Sequence, residues 1–147
     1  MATPQHSVSA AGIVFDDTGT RVLLIQRRDN GRWEPPGGVV ELDETIEDAV
    51  RREVEEETGA RVEVERLTGV YKNMTRGIVA LVFRCHLTSE PVPQTDEARH
   101  VAWHDIGHVS EHMPQAYAVR VLDALADGVQ IRTHDGHHVL SGQSFVP

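Results

Sequence analysis

Gly38-Val39-Val40-Glu41-Leu42-Asp43-Glu44 and, seven residues on, Arg52-Glu53-Val54-Glu55-Glu56-Glu57-Thr58-Gly59-Ala60 decide how this chain is read. At about 100° of rotation per residue, Ile46, Ala49, Val50 and Val54 fall on one helical face, the face expected to be buried. Glu53, Glu56 and Glu57 fall on the same meridian one or two turns later. Glu47, Asp48, Arg51 and Glu55 fall on the opposite, solvent side. The stripe therefore begins apolar and ends acidic without changing face. Carboxylates at such spacing repel one another, and turned inward they are costly to desolvate. A bound divalent cation removes both penalties. Magnesium suits oxygen-only ligands and commonly bridges a few carboxylates to substrate phosphates.

The surrounding chain supplies start and stop signals for that helix. Thr45 is a good N-cap, with Asp48 three residues on as a capping-box partner, and Gly59 is the stop. Upstream, His6–Phe15 and Arg21–Arg28 are apolar and strand-like, and Asp16-Asp17-Thr18-Gly19 is a turn, so the two runs read as a hairpin. Trp33 to Gly38 reads as a rigid loop followed by a short strand through Val39 and Val40. Downstream, Arg61–Tyr71, Gly77–Leu87 and His100–Trp103 read as strands, and Ser89–Ala98 as a loop. Met113–Ala126 has helical spacing at Ala116, Val119, Leu122 and Leu125. Strands flanking two helices imply an α/β chain with a mixed sheet between helical layers. Residues 129–147 read as a tail, with a hairpin turned at Asp135-Gly136 that extends the same domain, residues 1–128. Two such strands are marginal alone. The hairpin is expected to pack on its own core or on a second subunit, which would make the protein a homodimer.

Composition narrows the partners. The 147 residues suit one domain, and the net charge is −9. That charge argues against nucleic acid and anionic membrane as partners, and it means an anionic substrate needs metal and local arginines. Cys85 is the sole cysteine and lies in an apolar run. It is read as an inert core thiol, and the absence of a disulfide fits a reducing, cytoplasmic setting. No apolar run approaches the ~20 residues of a membrane span, and the N-terminus has no signal-peptide pattern.

The opening segment resembles the Nudix box, G-x5-E-x7-R-E-U-x-E-E-x-G-U, where U is aliphatic. Gly38, Glu44, Arg52, Glu53, Glu56, Glu57 and Gly59 match its fixed positions, and Val54 its first aliphatic one. Ala60 stands where a bulkier residue is usual. The approach Arg32-Trp33-Glu34-Pro35-Pro36-Gly37-Gly38 resembles W-x-L-P-G-G, with Pro35 in place of leucine. The resemblance implies an α/β/α sandwich in which the box is a loop–helix–loop. It also implies hydrolysis of a diphosphate linkage in a nucleoside diphosphate derivative, with Mg2+ or Mn2+ as cofactor.

Residue by residue, the resemblance makes Glu53, Glu56 and Glu57 metal ligands, joined by the main chain of Gly38, with Gly37 as the alternative. Arg52 is expected to hold carboxylates in place, with Glu44 as partner, and Gly59 to end the helix. Glu53 or Glu56 could activate water; in many relatives a glutamate from a distant loop does this or adds a metal ligand, and Glu97, preceding the His100–Trp103 strand, is the candidate here. Arg28, Arg32, Trp33 and Arg76 are candidate substrate contacts, along with Arg27 and Tyr71, although surface charge and core filling explain them as readily. His134, His137 and His138 read as a solvated hairpin tip, with a transition-metal cluster as the alternative. The proline and tyrosine that mark ADP-ribose and dinucleoside polyphosphate relatives are absent, since Arg76, Gly77 and Ile78 stand at those places. By elimination a nucleoside triphosphate, cleaved to monophosphate and pyrophosphate, is the expected substrate. ADP-ribose, nucleotide sugars and dinucleoside polyphosphates stay open, as does a non-catalytic ligand sensor, although sensors tend to lose box carboxylates and these are intact.

Overall fold

The computed structural model describes residues 2–140 of the chain. Eight strands and three helices follow one another: β1 (Ser7–Val14), β2 (Arg21–Arg27), β3 (Trp33–Glu34), β4 (Gly37–Val39), α1 (Ile46–Thr58), β5 (Val62–Asn73), β6 (Ile78–Leu87), β7 (Ala98–Asp105), α2 (Val109–His112), α3 (Gln115–Asp123) and β8 (Gln130–His134). They form a five-stranded mixed sheet in the order β4-β1-β6-β5-β8 and a three-stranded antiparallel sheet in the order β3-β2-β7. Alternation along the strands serves two cores. Ala10 and Val14 of β1 and Leu23 of β2 pack under Ala49, Val50 and Val54 of α1. Ala11 and Ile13, with Val22 and Leu24, pack under Val109, Met113, Ala118 and Val121 of the α2–α3 layer. The result is the expected α/β/α arrangement.

The hairpin expected between the first two strands does not form. Only Phe15 and Val22 bridge across the turn. β1 is hydrogen-bonded along one edge by β4 and along the other by β6, so no edge is left for β2, which joins β7 instead. Asp16 holds the crossing, accepting from the backbone N–H groups of Thr20 and Arg21 and pairing with the Arg21 guanidinium at 2.9 Å.

Helix α1 begins and ends where its caps place it. Thr45 Oγ1 accepts from the Asp48 N–H at 3.1 Å, although the Asp48 carboxylate turns to Arg51 rather than back to the cap. Gly59 closes the helix at φ 76°, a left-handed conformation that glycine adopts without strain. The buried face is narrower than expected. Ile46, in the first turn, and Glu56 are both exposed. On a wheel centred between Glu53 and Glu57, Glu56 stands about 80° from the centre, at the edge of the stripe.

Helix α3 is shorter than the expected Met113–Ala126, and its inner face is a different one. Ala116 is buried and Val119 packs against the core, but Leu122 and Leu125 are exposed. Ala118, Arg120, Val121 and Asp123 lie inside instead. A pattern that scores only apolar residues misses a stripe that carries a buried arginine and a buried aspartate. The tail, too, is more than a hairpin. β8 runs parallel to β5 from Gly69↔Gln130 to Asn73↔His134, completing the main sheet. Its return is a single bridge, His134↔Val139, and residues 141–147 lie outside the described ones.

Candidate active site

Three carboxylates converge beside the Gly37–Gly38 strand. Ligand oxygens of Glu53, Glu57 and Glu97 lie within 4.8 Å of one another. Glu53 and Glu57 are the inward residues of α1. Glu97 arrives from the loop before β7, and that loop is tied down at Thr95. Thr95 Oγ1 donates to the Glu57 carbonyl at 3.1 Å, and the Arg28 guanidinium donates to the Thr95 carbonyl at 2.8 Å. Arg28 therefore acts on the position of this loop; it stands outside the cavity described below.

The backbone approaches the acids closely. The Gly37 N–H donates to Glu57 Oε1 at 2.7 Å. A Cβ on Gly38 would stand 2.5 Å from Glu53 Oε1, so only glycine leaves the carboxylate its place. Arg52 organises the other side. Its guanidinium donates to both Glu44 oxygens, at 2.6 and 3.0 Å, to Glu53 at 2.8 Å and to Glu56 at 3.3 Å. Hydrogen bonds from Arg52 hold the Glu44 carboxyl down at about 2. Burial pushes Glu57 up to about 8, with the Glu53 charge adding to the effect. Burial also raises Glu53, against the pull of Arg52. An oxygen-only cluster in which burial and like charge oppose ionisation fits a hard divalent cation. Among the described residues it is the one His/Cys/Asp/Glu group with such convergence.

A cavity of about 590 Å³ adjoins this cluster, lined by Gly37 and Gly38 at one wall and by Tyr71, Tyr117, Arg120 and His134 at another. Arg32 and Arg76 line it as well.

The NUDIX domain family matches residues 6–124. The chain belongs to the Nudix family. It is 56% identical over 138 residues to a MutT-like protein of Streptomyces ambofaciens, a match covering 93% of this chain and 89% of that relative. It is 34% identical over 110 residues to an ADP-ribose pyrophosphatase of Methanocaldococcus jannaschii, covering 70% of this chain and 64% of the relative. In three dimensions it superposes on a Nudix hydrolase from Nitrosomonas europaea with a TM-score of 0.71 at 22% identity, over 90% of this chain and 82% of that one. The chain is thus a Nudix pyrophosphohydrolase.

The structure brings part of the expected Nudix site together. Glu53, Glu57 and the Gly38 backbone meet, Glu97 joins them, and Arg52 with Glu44 braces them. Glu56 stays at the rim, on Arg52. Of its two readings, Trp33 takes core filling. Alternation along β3 sends Glu34 toward the cavity and Trp33 to the other face. There its ring packs on the core and meets His104 edge-on, with centroids 4.4 Å apart. Arg27 lines the cavity but is committed to Asp29 and Glu34. The histidine tip is corrected: His134 is buried, with 1% exposure, because it ends a strand of the main sheet. His137 and His138 are exposed, and the Asp135 carboxylate accepts from both of their N–H groups. Cys85 is buried against α1, its thiol pushed up to about 12 by burial. Tyr117, Arg120 and Asn73 were not legible as cavity residues. The one available signal was Arg120 itself, a charge set within the apolar spacing of a helix.

Proposed function

We propose that this protein hydrolyses the diphosphate linkage of a nucleoside diphosphate derivative, with Mg2+ or Mn2+ held by Glu53, Glu57 and the main chain of Gly38, with Glu56 at the rim and Glu97 beside them as the base. The observation that carries the reading is the convergence of Glu53, Glu57 and Glu97 beside a cavity walled by Gly37 and Gly38. When bound, the metal neutralises phosphoryl oxygens and lowers the pKa of water. The protein's own groups do the rest. Arg52 and the Gly37 N–H fix Glu53 and Glu57 in place. Glu97 is the exposed member of the cluster, on a loop pinned to α1, and is placed to accept a proton from water. Arg32 and Arg76 offer guanidinium donors to a phosphate chain.

The substrate we favour is a nucleoside triphosphate, cleaved to monophosphate and pyrophosphate. The intact box, the absent subfamily markers and the likeness to a MutT-like protein support it. The likeness to an ADP-ribose pyrophosphatase supports ADP-ribose as the second reading. A single buried thiol, and the lack among the described residues of a helix long and apolar enough to span a membrane, support work in the cytoplasm. The test is phosphate and pyrophosphate release from nucleoside triphosphates, ADP-ribose, dinucleoside polyphosphates and nucleotide sugars, with magnesium and with manganese, beside a Glu53→Gln control. Turnover lost in the control establishes the reaction. Silence across the panel, with metal binding intact, overturns it.

A further inference from the structure

The buried wall of the cavity carries two hydrogen-bond donors with nothing to bond. Arg120 is 8% exposed, and its guanidinium carbon lies 5.0 Å from the Tyr71 ring centroid and 4.6 Å from that of Tyr117. Among the described residues its Nε–H has no partner. The neighbouring carboxylate on α3, Asp123, is already engaged: Tyr71 donates its O–H to it at 2.7 Å, and Arg132 grips it at 2.8 and 2.9 Å. Among the described residues no ion pair involves Arg120.

His134 presents the same problem from β8. Its Nδ1 accepts from the Gly136 N–H at 2.9 Å, which places the proton of the neutral ring on Nε2. Nε2 is buried and has no partner. Burial, and then the charge of Arg120, pull this imidazole down to about 4, so the neutral form holds at ordinary pH. Both orphaned groups are therefore donors, and one belongs to a cation that feels the charge of Glu34, also on the cavity lining, but forms no ion pair with it among the described residues.

A buried polar group without a partner is expensive, and a buried charge without a counter-charge more so. A neutral acceptor would satisfy the first demand only; an oxyanion satisfies both. The aromatic groups nearby offer no open stacking platform. The Tyr117 ring already carries Arg120 and, at 5.2 Å, Arg32, and Tyr71 is fully buried. We propose that Arg120 and His134 form an oxyanion subsite in the buried wall of the cavity, which takes a phosphate carried beyond the cleaved linkage. This rests on the reading that the cavity holds the substrate. It makes the enzyme selective for phosphate-bearing substrates over those that end in a neutral sugar, and it makes Arg120 the specificity-determining residue.

The test begins with binding, apart from turnover. Metal-free protein is titrated with inorganic pyrophosphate and inorganic phosphate by calorimetry, using the wild type, Arg120→Met and Arg120→Lys. The Met variant removes a buried charge and is expected to fold; its melting curve checks this. The wild type should bind pyrophosphate, with Met weakening it roughly tenfold or more, the scale of a charge-assisted bond, and Lys falling between. The His134 Nε2 resonance should shift with bound phosphate. Equal affinity in wild type and Met, or no binding by the wild type, overturns the subsite.

With magnesium, Arg120→Met should lower kcat/KM more for substrates that carry a phosphate beyond the cleaved linkage than for ADP-ribose; an equal loss on both also overturns it. Comparing a nucleoside triphosphate with ADP-ribose bearing a 2′-phosphate tells whether the bound oxyanion is a chain terminus or a phosphate ester. A protein that turns over nothing yet binds pyrophosphate through Arg120 would fail the hydrolase reading and keep this one.

Discussion

Gly38 and Glu53 are fitted to one another: the space a Gly38 Cβ would fill is the space the Glu53 carboxylate occupies, 2.5 Å from where that carbon would stand. The loop and the helix of the box thus share a contact that any side chain at position 38 would break. Gly38→Ala should displace Glu53 and cut kcat/KM by about 10–100-fold, the scale on which misplacing a metal ligand's surroundings acts. The backbone at Gly38 needs no positive φ, so the fold should survive. Magnesium titration and circular dichroism on the variant separate the two effects, and a variant that binds metal and turns over normally would count against the contact.

Among the described residues, Arg52 is the single cation that holds Glu44 and Glu53 together. Its fork engages both Glu44 oxygens at once, a geometry a lysine ammonium cannot reproduce. Arg52→Lys should therefore behave as a loss, lowering turnover by about 10–100-fold while conserving charge. Because the Glu44 carboxyl is held down at about 2, the Arg52–Glu44 half of the clamp should not open on mild acidification. A Lys variant with wild-type rates would show that charge alone suffices.

The two remaining glutamates, both exposed, separate by position. Glu97 sits within the converging cluster, whereas Glu56 stands outside it, paired with Arg52. If Glu97 accepts the proton from water, Glu97→Gln should reduce kcat by about 10²–10⁴-fold, with KM little changed. Glu56→Gln should act chiefly through metal affinity, and raised magnesium should restore part of its rate. Unchanged turnover in Glu97→Gln would remove that residue from the chemistry.

Why the acidic helix was legible from its own residues, and Glu97 of its partner loop only through the family resemblance, follows from the range of the contacts involved. Glu53 and Glu57 share a face through the helical repeat, and Thr45 and Gly59 cap it through bonds to adjacent turns. Glu97 reaches them only because Thr95 bonds a carbonyl 38 residues away and Arg28 reaches 67 residues to the same loop; no local period encodes that. The α3 stripe was misread for a related reason. Arg120 and Asp123 are stabilised inside by Tyr71, Tyr117 and Arg132, which come from β5, α3 and β8, and an apolar pattern cannot foresee polar partners from distant strands. The hairpin of β1 and β2 failed because strand pairing depends on which edges other strands have already occupied.

His134 gives the fold a defined response to acid. Its pKa is lowered to about 4 in the folded chain from the ordinary 6.5. Between those values the unfolded state binds more protons, so stability rises with pH there. The contribution is complete above pH 6.5 and is lost as pH falls toward 4. At about 1.36 kcal/mol per unit the effect is at most about 3 kcal/mol. Urea unfolding at pH 7 and pH 4.5, comparing wild type with His134→Gln, should show the wild type losing more stability than the variant. Parallel losses would mean that His134 is not the titrating group.

Removal of the chain from residue 129 onward tests whether the tail belongs to the domain. β8 donates more than a strand edge. Arg132 grips the buried Asp123, which also holds the Tyr71 hydroxyl, and His134 walls the cavity. Truncation leaves Asp123 buried without its cation, and breaking such a pair costs roughly 3–5 kcal/mol. It also bares the edge of β5, a strand edge open to pairing with another chain. The truncated protein should melt well below the full chain and should tend to associate, as read by calorimetry and sedimentation velocity. Asp123→Asn in the full chain separates the causes, since it removes the charge pairing and keeps the strand. If that variant melts near the wild type while the truncation does not, strand pairing dominates; if both fall together, the Arg132–Asp123–Tyr71 group holds the tail. Unchanged melting and sedimentation after truncation would show that the domain is complete without β8.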